Sequence, residues 1–89
     1  MTHSDYQVVF EPKALKQLRR LDPQTQRRIL TAAKLLASNP QPPKAKKLTD
    51  QDGLWRVRVG DYRIVYQIED SVLTVLVVKV GHRREVYKR

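Results

Sequence analysis

Apolar residues along this chain change spacing from strand-like to helical and back again. The first run, Tyr6-Gln7-Val8-Val9-Phe10, has the β-branched and aromatic content of a short strand. Pro12 follows at a position suited to a helix start. Ala14, Leu18 and Leu21 then recur at i, i+4 and i+7 with Leu15 beside them, which predicts one apolar helix face. Asp22-Pro23 punctuates the chain, with Asp as N-cap and Pro in the first helical position. A second helix is predicted with Ile29, Ala33 and Leu36 on its inner face and Leu30 and Ala37 adjacent, ending near Ser38-Asn39-Pro40. Two helices joined so tightly predict an antiparallel pair.

The next stretch, residues 39–53, reads as a loop. Asn39-Pro40-Gln41-Pro42-Pro43 is stiff and extended, and Asp50-Gln51-Asp52-Gly53 is turn chemistry. Residues 54–59, 62–69 and 72–80 are rich in Val, Ile and Tyr, and Gly60-Asp61 and Asp70-Ser71 separate them. They predict a three-stranded antiparallel meander. The expected fold is α+β: a small antiparallel sheet, made of the N-terminal strand plus the meander, with the helix pair on one face. Residues 1–89 are expected to form a single domain, with no internal repeat or boundary.

Strand alternation then locates the chemistry. Leu54, Arg56 and Arg58 point one way; Trp55, Val57 and Val59 point the other. The apolar set should face the helices. A two-residue Gly60-Asp61 loop would place Val59 opposite Tyr62 and Arg58 opposite Arg63. Arg56, Arg58 and Arg63 are thus expected together on an open, solvent-facing side. Like charges placed directly opposite are destabilising. No acid on that face near them offsets the repulsion, since Glu69 lies at the far end. A bound anion would account for them, because guanidinium forks match phosphate oxygens.

Charge strengthens this reading. Eighteen Lys and Arg oppose nine Asp and Glu, a formal +9 with a pI near 10.3. That balance favours a polyanionic partner. The run Lys44-Ala45-Lys46-Lys47 and the tail Gly81-His82-Arg83-Arg84-Glu85-Val86-Tyr87-Lys88-Arg89 add further cations. Tyr87 suits base stacking or packing with Val86, and His82 is either a general acid or base or a plain surface histidine. His3 is given no role.

Other classes recede. There is no cysteine, so disulfides and thiolate metal sites are excluded. The start, Met1-Thr2-His3-Ser4-Asp5, lacks the pattern of a secretion signal, and no apolar run approaches the roughly 18 residues of a membrane span. A cytoplasmic location is expected. Neither a carboxylate pair, a metal-ligand cluster, a nucleophile triad nor a glycine-rich phosphate loop is evident. No cofactor and no metal are expected. RNA cleavage suits such a chain, because the nucleophile is the substrate's own 2′-hydroxyl. The protein must align that hydroxyl, stabilise charge on the phosphoryl oxygens and move two protons.

Nearly the whole chain resembles the RelE/ParE superfamily of bacterial toxins. The resemblance is carried by Lys47-Leu48, by Leu54-Trp55-Arg56-Val57-Arg58-Val59-Gly60-Asp61-Tyr62-Arg63-Ile64-Val65-Tyr66 and by Val80-Gly81-His82-Arg83-Arg84-Glu85-Val86-Tyr87. It implies the toxin of a type II toxin–antitoxin system, an mRNA interferase acting in the ribosomal A site and neutralised by an acidic, RelB-like antitoxin. Expected partners are that antitoxin, the ribosome and mRNA. The implied catalytic positions are Arg56, Arg58, Arg63, Arg83 and Tyr87, with His82 as a candidate. Arg63 would stabilise the transition-state phosphate, Arg83 would protonate the 5′-oxygen and Tyr87 would stack on the base. Lys44, Lys46, Lys47, Arg84 and Lys88 are the expected RNA- or ribosome-binding cations. The family pattern has lysines where this chain has Arg56 and Arg58, and arginine is a poor base. Three alternatives remain for the proton acceptor: His82 or another group takes the role, Arg58 acidifies the 2′-hydroxyl electrostatically, or cleavage is slow. Competing readings are a ParE-like inhibitor of DNA gyrase and a non-cleaving ribosome or RNA binder.

Overall fold

A computed structural model describes residues 5–48 and 53–82. The chain forms strand β1 (Gln7–Phe10), helix α1 (Pro12–Arg19), helix α2 (Pro23–Ser38) and a two-residue strand β2 (Lys46–Lys47). The strands β3 (Leu54–Val59), β4 (Tyr62–Glu69) and β5 (Thr74–His82) follow, with a 3₁₀ turn at Asp70–Val72 between the last two. The five strands make one sheet in the order β1-β5-β4-β3-β2. The α+β class, the helix pair and the meander are as the sequence predicts.

Two details differ. The sheet is mixed, because β1 runs parallel to β5, with Gln7 beside Thr74 and Phe10 beside Val77. The predicted all-antiparallel sheet is therefore corrected. Local patterning marks β1 as a strand but says nothing of its direction relative to a partner so distant in the chain. The second difference is β2, which pairs antiparallel with β3 inside a stretch expected to be loop. Its two residues are too few for a periodic signal.

Helix boundaries follow from local chemistry. Pro12 and Pro23 occupy first-turn positions where a missing N–H is harmless. The Asp22 carboxylate accepts from the backbone N–H of Thr25 at 3.1 Å and from its hydroxyl at 2.7 Å. Those two bonds hold the Asp22 carboxyl below its ordinary range. Gln26 Nε2 donates to the carbonyl of Leu21 at 2.7 Å, which ties α2 to the end of α1.

The core lies between the helices and one sheet face. Ala14 and Leu18 of α1 and Ile29, Ala33 and Leu36 of α2 are buried. The sheet supplies Val57, Ile64, Tyr66, Val75, Val77 and Val80. A β-bulge makes this set possible. Val65 pairs with Lys79 but Tyr66 pairs with Val77, so Val78 is an extra residue on β5. Strict alternation from Val77 would turn Lys79 into the core and Val80 out. The bulge reverses that parity: Val80 enters the core and Lys79 turns to the open face.

Two side chains fasten the edges. The Val80 N–H, beyond the end of β1, donates to Gln17 Oε1 of α1 at 2.8 Å. Tyr66 is fully buried, and its hydroxyl donates to the Pro40 carbonyl at 2.6 Å. That bond anchors the proline-rich segment after α2. Replacing Tyr66 by Phe keeps the ring and removes the bond, so denaturant titration should show a loss of about 1–2 kcal/mol. Burial pushes the Tyr66 phenol from 10.0 up to about 12. The folded chain therefore holds this proton more tightly than the unfolded chain. Its contribution is complete below pH 10 and is lost as pH rises to about 12. Alkaline unfolding of the Phe variant should show a smaller loss across that window than the parent.

Candidate phosphate-binding site on the open sheet face

The site begins with the β3–β4 hairpin. Gly60 has φ +62, and Asp61 is not among the residues with positive φ, as in a type II′ turn. This turn pairs Val59 with Tyr62 and Arg58 with Arg63, the register expected from the sequence. Arg56 pairs with Val65 and, on its other side, with Lys46 of β2. Val65 pairs onward with Lys79 of β5, and Arg63 with Gly81. Residues directly opposite in a ladder share a face. Lys46, Arg56, Arg58, Arg63 and Lys79 therefore rise from one side of the sheet.

Their exposures differ, and one expectation is corrected. Arg58 is exposed and Arg56 half-buried, but Arg63 is only 5% accessible. Arg63 does not face open solvent. It occupies a central strand between Arg58 and Gly81, and glycine places no side chain beside it. Alternation assigns a face correctly, but it cannot say how deeply a face is covered. Arg63 is thus a held guanidinium, and Arg58 is its freer neighbour.

Lys44, Lys46, Arg56, Arg58 and Gly60 line a groove of about 450 Å³ on this face. Lys44 and Lys46, two of the four predicted lysines, thus join the arginines. Lys47 does not: it pairs with Trp55, whose side chain lies on the opposite face. His82 is also turned away. It pairs with Tyr62, one position out of phase with Arg63, and their rings meet edge to face at 5.6 Å and 76°. Arg83, Arg84, Tyr87 and Lys88 lie outside the described residues. Lys79 was missed by the sequence reading. Its signal was a lone cation in an apolar run, with Val77 and Val80 three apart rather than two. Arg27 and Arg28 of α2 were missed as well. They line a second groove of about 630 Å³ that shares Lys44, Arg58 and Gly60 with the first.

Among the described residues no group of three or more His, Asp or Glu side chains is placed to hold a metal ion. The cations on the open face can bind and polarise an anion. None of them is a ready proton acceptor.

Residues 8–87 match the family described as ParE toxin of type II toxin–antitoxin system, parDE. A RelE-like toxin protein of Escherichia coli is 37% identical over 79 residues, covering 88% of this chain and 83% of its own length. Toxin RelG of Mycobacterium tuberculosis is 33% identical over 89 residues, covering 94% of this chain and 98% of its own length. Among solved structures, the toxin–antitoxin complex RelBE2 of Mycobacterium tuberculosis contains a chain similar at a TM-score of 0.79 and 30% identity, over 89% of this chain and 99% of that one. The intact RelBE complex of Escherichia coli contains one similar at 0.77 and 25%, over 86% and 95%.

The exposure difference separates the two facing arginines experimentally. Arg63→Ala should lower stability by roughly 1–3 kcal/mol, because a buried stem is deleted. Arg58→Ala should stay within about 0.5 kcal/mol of the parent. Denaturant melts of both variants measure the contrast, and equal melts would contradict the burial.

Proposed function

The chain belongs to this family of type II toxin–antitoxin toxins, with a RelE-like toxin and a RelG toxin similar along most of its length, and from that premise we propose that it is a ribosome-dependent mRNA endoribonuclease. The observation that carries the reading is the juxtaposition of Arg58 and Arg63 across the hairpin, with Arg56 and Lys46 beside them. The proposed partners are a cognate acidic antitoxin, the ribosome and mRNA. Solved relatives taken from toxin–antitoxin complexes support the first.

In the proposed reaction the substrate's 2′-oxygen attacks the adjacent phosphorus. The 2′-proton leaves, the phosphorus–5′-oxygen bond breaks and the departing 5′-oxygen gains a proton. The products are a 2′,3′-cyclic phosphate and a 5′-hydroxyl. Negative charge concentrates on the phosphoryl oxygens as the new bond forms. Arg63 suits the task of meeting it. Its guanidinium is held before substrate arrives and sits in a poorly solvated place, where a fixed donor acts more strongly than in water. Arg58 is exposed and can close on the phosphate from the facing strand. Arg56 and Lys46 extend the field to the neighbouring backbone. Arg83 and Tyr87 are assigned to leaving-group protonation and base stacking from the family resemblance.

His82 is a poor base for this site, because its side chain shares the Tyr62 face rather than the Arg63 face. The remaining alternatives are another group as base, electrostatic acidification of the 2′-hydroxyl by Arg58, or slow cleavage.

The test is to express the chain in a bacterial host and map mRNA ends within translated frames. Cleavage inside frames is expected. Intact mRNA together with DNA damage would replace this reading with gyrase inhibition. Arg63→Lys keeps the charge and most of the stem but loses the planar fork, so cleavage should fall about 10²–10³-fold while the fold survives. His82→Gln should leave the cleavage rate unchanged between about pH 5 and 8. A variant profile flattened in that range would return His82 to the role of base.

A further inference from the structure

Arg28 reaches from α2 to the β3–β4 turn. A Cβ placed on Gly60 would lie 3.1 Å from its Nη2 and 3.6 Å from its Cζ and Nη1. The guanidinium therefore lies against the one turn residue that has no side chain. This is an odd resting place for a cation, because Arg58 and Lys44 line the same groove. Gln24, Arg27, Arg28, Thr31 and Leu35 continue the groove along α2 at helical spacing. Among the described residues no Asp or Glu lines it, and α2 contains none.

Resting on the RNA-cleaving reading above, we infer that this groove is a second RNA-backbone subsite, holding the strand that flanks the phosphate bound at Arg58 and Arg63. Three observations carry it. The two grooves share Lys44, Arg58 and Gly60, so one polyanion can pass from the sheet face around the turn to α2 without a break. Four of the ten described lining residues are cations, Arg27, Arg28, Lys44 and Arg58. The core of a protein–protein interface is depleted in charge, whereas nucleic-acid interfaces are polar and strongly positive. Lastly, Gly60 puts no side chain at the junction of the two grooves, and the Arg28 guanidinium lies against it there.

The double substitution Arg27→Gln with Arg28→Gln tests the subsite. Both residues are exposed, so the fold should be retained. Binding of non-cleavable 2′-O-methyl RNA is followed by fluorescence anisotropy over a salt series, using strands of about four and about twelve nucleotides. For the longer strand the slope of log affinity against log salt should shrink by about 1.4, because two single-strand phosphate contacts are lost. The shorter strand should be unaffected. Arg19→Gln with Arg20→Gln, the same charge loss on exposed α1-side residues outside the groove, should change the long-strand slope less.

Equal loss for both lengths would place Arg27 and Arg28 in the central site and overturn the inference. So would an unchanged slope, or an effect matched by the Arg19 and Arg20 pair. A double variant that keeps its RNA affinity but loses binding to an acidic antitoxin peptide would make the groove a protein site, and the inference would fail. The parent reading is scored separately by mRNA ends in cells. Cut mRNA with an unchanged slope removes only the subsite; a length-dependent slope with uncut mRNA keeps an RNA-binding groove and removes the nuclease.

Discussion

The pairing of β3 with β4 is the constraint on which the rest of this structure depends. Its register sends Val57, Ile64 and Tyr66 into the core and Arg56, Arg58 and Arg63 to the other face. A slip of one residue would turn one strand over relative to the other, setting either Arg56 and Arg58 or Arg63 against the helices. Burial of the apolar set thus decides which cations share the other face.

The bulge at Val78 does the same on the next strand. Without it, Val80 and Lys79 would exchange faces. With it, Val75, Val77 and Val80 all join the core, and a fifth cation reaches the arginine face. The cost is one unpaired position in the ladder. Bulges are common beside functional surfaces because they re-aim side chains in this way. Gln17 and Tyr66 complete the frame, one meeting a strand N–H past the end of β1 and the other tethering the segment that leads to Lys44 and Lys46.

Burial of Arg63 changes how the site is understood. An exposed arginine pair would be an electrostatic patch, mobile and screened by salt. A held guanidinium facing a free one is a different device. In the proposed reaction the first would already be in position and the second would close on the phosphate. Preorganised charge of this kind acts strongly on developing negative charge, because little reorganises as the charge forms. Strand alternation separates His82 from this pair: one step along β5 from Gly81 turns its ring to the Tyr62 side.

Much of this was legible in the sequence for local reasons. Helix starts at Pro12 and Pro23, the Asp22 cap, the apolar helix faces and the Gly60-Asp61 hairpin all depend on neighbours within a few residues. So does the Arg58–Arg63 register, because a two-residue turn leaves no freedom in how the strands pair. The parallel direction of β1, the bulge, the depth of Arg63 and the approach of Arg28 to Gly60 were not legible. Each depends on where distant segments come to rest. A strand's direction is set by the path of the chain through the helix layer, a bulge by the need to fill the core on both sides of Val78, and burial by what covers a face. The sequence by itself determined which residues carry charge and which face they share. Only the tertiary structure decided which of those charges is held and which is free, because solvation and packing are properties of the assembled layers and not of any one strand.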